Sequence, residues 1–93
     1  IIDRNHIQAM DFIANVIDSE RDDMIKRLQG FGLLPVICSG HDVAELTSCI
    51  RECKSSTDNK PKVIIAETVK GFGLKCMEGI PKFHFRLPAC EGL

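Results

Sequence analysis

The chain has no surplus of either charge: 12 Lys and Arg stand against 13 Asp and Glu in 93 residues, a formal net charge of -1. A protein without excess positive charge gains little from releasing counterions on nucleic acid or from docking on an anionic membrane, so neither is a default partner. Long hydrophobic runs are also missing. Apolar stretches stop after no more than four or five residues, against the roughly 20 that a membrane span requires. The opening residues IIDRNHIQ lack the basic and long apolar regions of a secretory signal. Trp and Tyr are absent, but 44% hydrophobic and 27% charged residues remain, an ordinary soluble composition for one domain-sized piece. The five cysteines, at 38, 49, 53, 76 and 90, form no C-x-x-C pair and have no His at zinc-finger spacing. We therefore expect reduced thiols and a cytoplasmic protein. Cys49 and Cys53, four apart, are expected to share a helical face as small hydrophobes.

Ile1-Ile2 looks like the end of a strand and runs at once into the polar group DRN. Residues 7–18 show no clear period and read as a loop of uncertain form. From Ser19 the helix signals are explicit: Ser19 as cap, Glu20, Asp22 and Asp23 in the first turn, Met24, Ile25 and Leu28 as an apolar stripe, and Gly30 and Gly32 as the stop. Leu33, Leu34, Val36, Ile37 and Cys38 predict a strand apolar on both faces, which suits a buried parallel sheet. Asp42 and Glu45 form a capping-box-like start, and Val43, Leu46, Ile50 and Cys53 recur at helical spacing up to Lys54. The polar stretch KSSTDNKP predicts a surface connection, and Val63–Ala66 another strand apolar on both faces. From Val69 onward, Gly and Pro among scattered apolar and basic residues predict an extended loop of the functional kind. The alternation of strand and helix makes the fold class α/β with a parallel sheet. About three strands and two helices do not cover both faces of such a sheet. We therefore expect the chain to be part of a larger unit, three-layer α/β/α when completed by other chains.

Three local patterns carry chemistry. Asp3 and Asn5 lie two residues apart after the first strand, at the edge where open α/β sheets bind ligands, and an Asn oxygen with a nearby backbone carbonyl suits Mg²⁺. The same residues also make ordinary turns. The loop VKGFG sets Lys70 before two glycines, either as an approach to phosphate or as a flexible strand exit. His84, between Phe83 and Phe85 and followed by Arg86, is either a proton-transfer group or a packed residue.

In order and spacing these pieces resemble the carboxyl-terminal part of the thiamine diphosphate-binding domain of the transketolase family. IIDRNHI is similar to the end of that family's cofactor motif, which opens with glycine-aspartate-glycine and closes about 30 residues later with an Asn after a strand. SGHDVAELTSCIRECK resembles the turn and helix after its next strand. PKVIIAETVKGFGLKCMEGIPKFHFRLP is similar to the strand, the lysine-glycine-x-glycine turn, the methionine-glutamate segment and the histidine-then-proline ending that follow. The resemblance covers residues 1 to 88, and Lys70, Gly71, Gly73, Met77, Glu78, Pro81 and His84 are its most specific positions. It implies thiamine diphosphate and Mg²⁺ as cofactors. Asn5 would give its side-chain oxygen and Ile7 its backbone carbonyl to the metal, Asp3 and Lys70 would lie beside the cofactor, and His84 would lie near the diphosphate and an incoming sugar as the catalytic residue.

The chain departs from the family's pattern in several places. Glycine-aspartate-glycine occurs nowhere in it, so one Mg²⁺ carboxylate has to come from elsewhere, as does the catalytic Glu of the family's pyrimidine-binding domain. QAMDF replaces the usual isoleucine-aspartate-glycine continuation, Ser39 stands where Asp is common, and Phe85-Arg86 stand where a glycine often follows the histidine. Arg86 nevertheless suits a phosphorylated substrate.

The reading implied for residues 1–93 is thus an incomplete diphosphate-binding domain, a subunit or fragment of a transketolase-like enzyme, inactive alone. It would transfer a two-carbon ketol unit between sugar phosphates or related carbonyl compounds within a hetero-oligomer. Companion chains would supply the upstream diphosphate-binding half and the pyrimidine-binding domain. Two alternatives stand beside it. One is a non-catalytic α/β interaction module of the same descent, and the other a free-standing phosphate-binding module using Lys70, Arg86 and His84.

Overall fold

A computed structural model describes residues 1–8, 11–15, 21–84 and 86. In chain order the strands and helices are β1 (Ile2–Arg4), β2 (Ile7–Gln8), β3 (Asp11–Phe12), α1 (Arg21–Gly30), β4 (Leu34–Ser39), α2 (Val43–Ser55) and β5 (Lys62–Glu67), with 3-10 turns at Ile13–Asn15 and Pro81–His84. They fall into two compact units, Ile1–Arg4 with Glu20–Thr68, and Asn5–Ser19 with Val69–Leu93.

The first unit is a parallel sheet in the order β1-β5-β4. β5 is central because its residues Val63–Ala66 are apolar on both faces, the composition that a doubly covered strand demands. Ile65 is fully buried, and Ile64 and Ala66 are nearly so. The register pairs Val36 with Ile64, Ile37 with Ile65 and Cys38 with Ala66. Period-two alternation then sends Val36, Cys38, Ile64 and Ala66 to one face, where Leu46, Cys49, Ile50 and Cys53 of α2 pack against them. Burying an Ile side chain such as Ile65 stabilises a fold by about 1.5–3 kcal/mol. Among the described residues β1 and β4 are the two edges of this sheet, as expected for a sheet that needs neighbours. Ile37 on β4 remains 37% exposed.

α2 starts as predicted: Asp42 is the N-cap and its carboxylate accepts the Glu45 N–H at 3.1 Å. The Glu45 carboxylate does not close a capping box, however, and accepts the Ser39 N–H at 3.1 Å instead, tying the helix start to the end of β4. α1 ends at the second of the two glycines expected to stop it. Gly30 is still helical, and Gly32 at φ +83° makes the stop. Gly32 N–H donates to Gln29 C=O and Leu33 N–H to Leu28 C=O, at 2.9 and 3.1 Å, the paired bonds of a Schellman motif, which needs a glycine at that left-handed position. The cap at Ser19 lies outside the described residues.

The polar group DRN does not end β1 before Asp3. Asp3 and Arg4 belong to the strand because both are paired across it. Arg4 lies opposite Glu67 and its Nη1 donates to both carboxylate oxygens, at 3.0 and 3.1 Å, with Arg4 9% exposed. Asp3 Oδ1 accepts the Thr68 hydroxyl. Pairing of this kind permits burial of a guanidinium that would otherwise lose its hydration.

The second unit holds β2 and β3, an antiparallel pair where a loop of uncertain form was expected. Two residues per strand are too few to impose a period on a sequence, so the ladder was invisible in IQAMDF. Residues 69–84 carry no strand or α-helix, as expected, but they form hydrogen-bonded turns rather than an extended loop.

Cys38, Cys49 and Cys53 are free thiols in or against the core, as expected for small hydrophobes. Cys76 is in a disulfide, which corrects the expectation of reduced thiols throughout. Pairing depends on approach in space, and an odd cysteine count does not forbid one bridge. Among the described residues, no helix is long and apolar enough to cross a membrane.

Candidate functional site

The second unit contains four of the five residues singled out for cofactor and metal: Asn5, Ile7, Lys70 and His84. Asp3 belongs to the first unit, where its carboxylate is engaged by Thr68.

Asn5 and Ile7 are brought together directly. Asn5 Oδ1 accepts the Ile7 N–H at 3.0 Å across a turn at His6. β2 pairs Ile7 with Phe12 and Gln8 with Asp11, and Ile13 N–H donates to His6 C=O at 2.8 Å. In an antiparallel ladder hydrogen-bonded and non-hydrogen-bonded pairs alternate. With His6 bonded to Ile13, the Ile7–Phe12 pair is non-bonded, so Ile7 turns its N–H and C=O away from β3, toward the edge where Asn5 accepts. An amide oxygen has two lone pairs, and the Ile7 N–H uses one of them. The edge thus presents two hard oxygen donors, which fits a small hard cation such as Mg²⁺. Ile7 itself is 6% exposed and anchors this edge. Among the described residues no group of three or more His, Cys, Asp or Glu side chains gathers to hold a metal. Two oxygens alone do not complete the shell of such a cation.

His84 closes the 3-10 turn Pro81–His84, which packs against β2 and β3. It is half-buried, with Nδ1 shielded from solvent. Lys70 is half-buried at the head of a run of turns, and its C=O accepts the Gly79 N–H at 2.8 Å. Arg86 is exposed.

The lysine-glycine-x-glycine and methionine-glutamate segments prove to be two halves of one clasp. Gly71, at φ +79°, lies so close to the Met77 backbone that a Cβ there would stand 2.9 Å from the Met77 oxygen. Gly73 N–H donates to the Glu78 carboxylate at 3.1 Å. The glycines are needed for approach and for left-handed backbone, and Glu78 for fastening the turn. These residues therefore shape the loop that begins at Lys70.

Three further residues, Arg4 and Glu67 of the first unit and His6 of the second, had not been singled out. Arg4 and Glu67 gave no signal, because a strand-end pair 63 positions apart has no local signature. His6 is the one non-glycine with positive φ among the described residues, at +66°. Its type was a faint pointer, since His is enriched several-fold in that conformation.

Comparison with known proteins gives the class that the chain resembles. The chain is 30% identical over 88 residues to one subunit of apulose-4-phosphate transketolase from Actinobacillus succinogenes, a match that covers 95% of this chain and 30% of that protein. It is 33% identical over 91 residues to the subunit of the same name from Phocaeicola vulgatus, covering 98% of this chain and 31% of the relative. Transketolase of Physarum polycephalum is 31% identical over 72 residues, 76% of this chain and 11% of the relative. No family model and no solved structure matches the chain. The chain is therefore transketolase-like over most of its length, and spans about a third of the length of the two apulose-4-phosphate transketolase subunits, by the 30% and 31% coverage just given.

Proposed function

We propose that this chain supplies the carboxyl-terminal part of the diphosphate-binding domain of a thiamine diphosphate- and Mg²⁺-dependent transketolase-like transferase. In this reading the Asn5 side-chain oxygen and the Ile7 carbonyl would hold Mg²⁺. The bound thiamine supplies the carbanion chemistry needed to cleave and form the carbon–carbon bonds of a two-carbon ketol transfer. His84 would exchange a proton or hydrogen bond with the carbonyl substrate, and Lys70 would approach the cofactor. Companion sequence supplies the upstream carboxylate and the pyrimidine-binding domain. That two of the relatives are themselves named as subunits supports such a division of labour. A phosphorylated ketose is the substrate class, by analogy with the names of those relatives.

The observation that carries the reading is the similarity over 95% and 98% of the chain to the two apulose-4-phosphate transketolase subunits. The donor pair on the outer edge of β2 supports it independently. In the assembled protein, Asn5→Ala is expected to weaken Mg²⁺-dependent thiamine diphosphate binding by about tenfold or more, the usual scale for loss of a metal ligand or its support. The urea midpoint should fall only by the worth of the lost Asn5–Ile7 hydrogen bond, about 0.5–1.5 kcal/mol. Equilibrium dialysis with labelled cofactor over a Mg²⁺ series measures this, and an unchanged affinity would overturn the metal assignment.

A further inference from the structure

We infer that His6 is a positioning residue for the metal-binding edge and acts through its backbone rather than its imidazole. This deepens the metal reading above and rests on it. His6 stands between the two donors, exposed to solvent, with φ +66°. That conformation is unfavourable for an L-residue other than glycine. It persists because both neighbours hold it: His6 C=O takes the Ile13 N–H at 2.8 Å, and the Ile7 N–H reaches back to Asn5 Oδ1 at 3.0 Å. The first bond sets the phase of the β2–β3 ladder. The left-handed turn then rotates Ile7 so that its carbonyl leaves the ladder on the Asn5 side. A residue at position 6 that resists positive φ would swing the Ile7 carbonyl away from Asn5 or break the His6–Ile13 bond. Position 6 should therefore be selected for tolerance of left-handed backbone, with glycine and asparagine acceptable and β-branched residues not.

The test uses the assembled protein with thiamine diphosphate and Mn²⁺ standing in for Mg²⁺, free Mn²⁺ being read from its electron paramagnetic resonance signal. His6→Gly and His6→Asn should hold Mn²⁺ within about twofold of the parent. His6→Val should weaken it by about tenfold, within the range seen when groups that orient a metal ligand are lost, and His6→Ala should fall between. Urea midpoints taken alongside separate misfolding from weakened binding, and His6→Ala carries the test if His6→Val does not fold. Equal losses in Gly, Asn and Val would assign the role to the imidazole and overturn the inference, as would a Val variant that binds like the parent. Asn5→Ala is the companion control. If it leaves Mn²⁺ binding unmoved, the metal reading falls and this inference with it. If it weakens binding while His6→Val does not, the inference alone falls.

Discussion

At the scale of single residues, backbone conformation decides more than side-chain chemistry. Gly71 and Gly73 both have positive φ, but a Cβ at Gly71 would press on the Met77 backbone, whereas one at Gly73 meets nothing within 4 Å. Gly71→Ala is therefore expected to cost about 2–4 kcal/mol, left-handed strain plus a backbone clash. Gly73→Ala should cost only the strain, about 1–2 kcal/mol. Urea unfolding of the two variants in the intact protein measures the difference, and equal losses would contradict the clasp described for residues 70–79. Both glycines were legible in the sequence as positions of the motif, but their separate reasons were not. A clasp partner six residues away in a turn leaves no periodic trace.

At the scale of elements, α2 on β4 and β5 is the best-defined packing, and its thiols report on it. Burial, and after it the neighbouring Cys38 and Cys53, pushes the Cys49 thiol from its ordinary 9.0 up to about 11. Between those values the unfolded chain has released the proton while the folded chain retains it. The unfolded state then binds fewer protons, and stability falls as pH rises. Below about 9 the thiol contributes no pH dependence, and above about 11 the loss is complete. Two units correspond to about 2–3 kcal/mol. Urea midpoints from pH 8 to 11 should therefore decline more steeply in the parent than in Cys49→Ala, and identical slopes would contradict the burial. The elements α2, β4 and β5 were legible because their signals are local: an Asp cap, four apolar positions at helical spacing, and strands apolar on both faces. β2 and β3 were not, because their pairing spans two residues each and depends on the bond from Ile13 to His6. The stop of α1 was legible as the pair Gly30 and Gly32, which look alike in sequence until the Schellman bonds show that Gly32 is the left-handed one.

At the scale of the whole molecule, the sheet edges on β1 and β4 and the donor pair proposed at Asn5 and Ile7 bear on the same proposal. Parallel sheets are stable when neighbours cover them, and Mg²⁺ keeps near-octahedral geometry that two oxygens do not complete. Of the candidate site, Asn5 was singled out from its place after a strand, where an Asn is also an ordinary turn-former, and Ile7 only through resemblance to the transketolase family. The ladder phase that aims the Ile7 carbonyl could not be read from residue types. What unites these features is the proposal that the chain contributes to a Mg²⁺-dependent thiamine diphosphate site within a larger assembly. Native mass spectrometry of the untagged polypeptide from its own cells, with thiamine diphosphate and with or without Mg²⁺, puts that proposal to the test. The expected result is a complex with further α/β sequence that retains the cofactor only when Mg²⁺ is present. A lone chain that carries no cofactor at any Mg²⁺ concentration would contradict it.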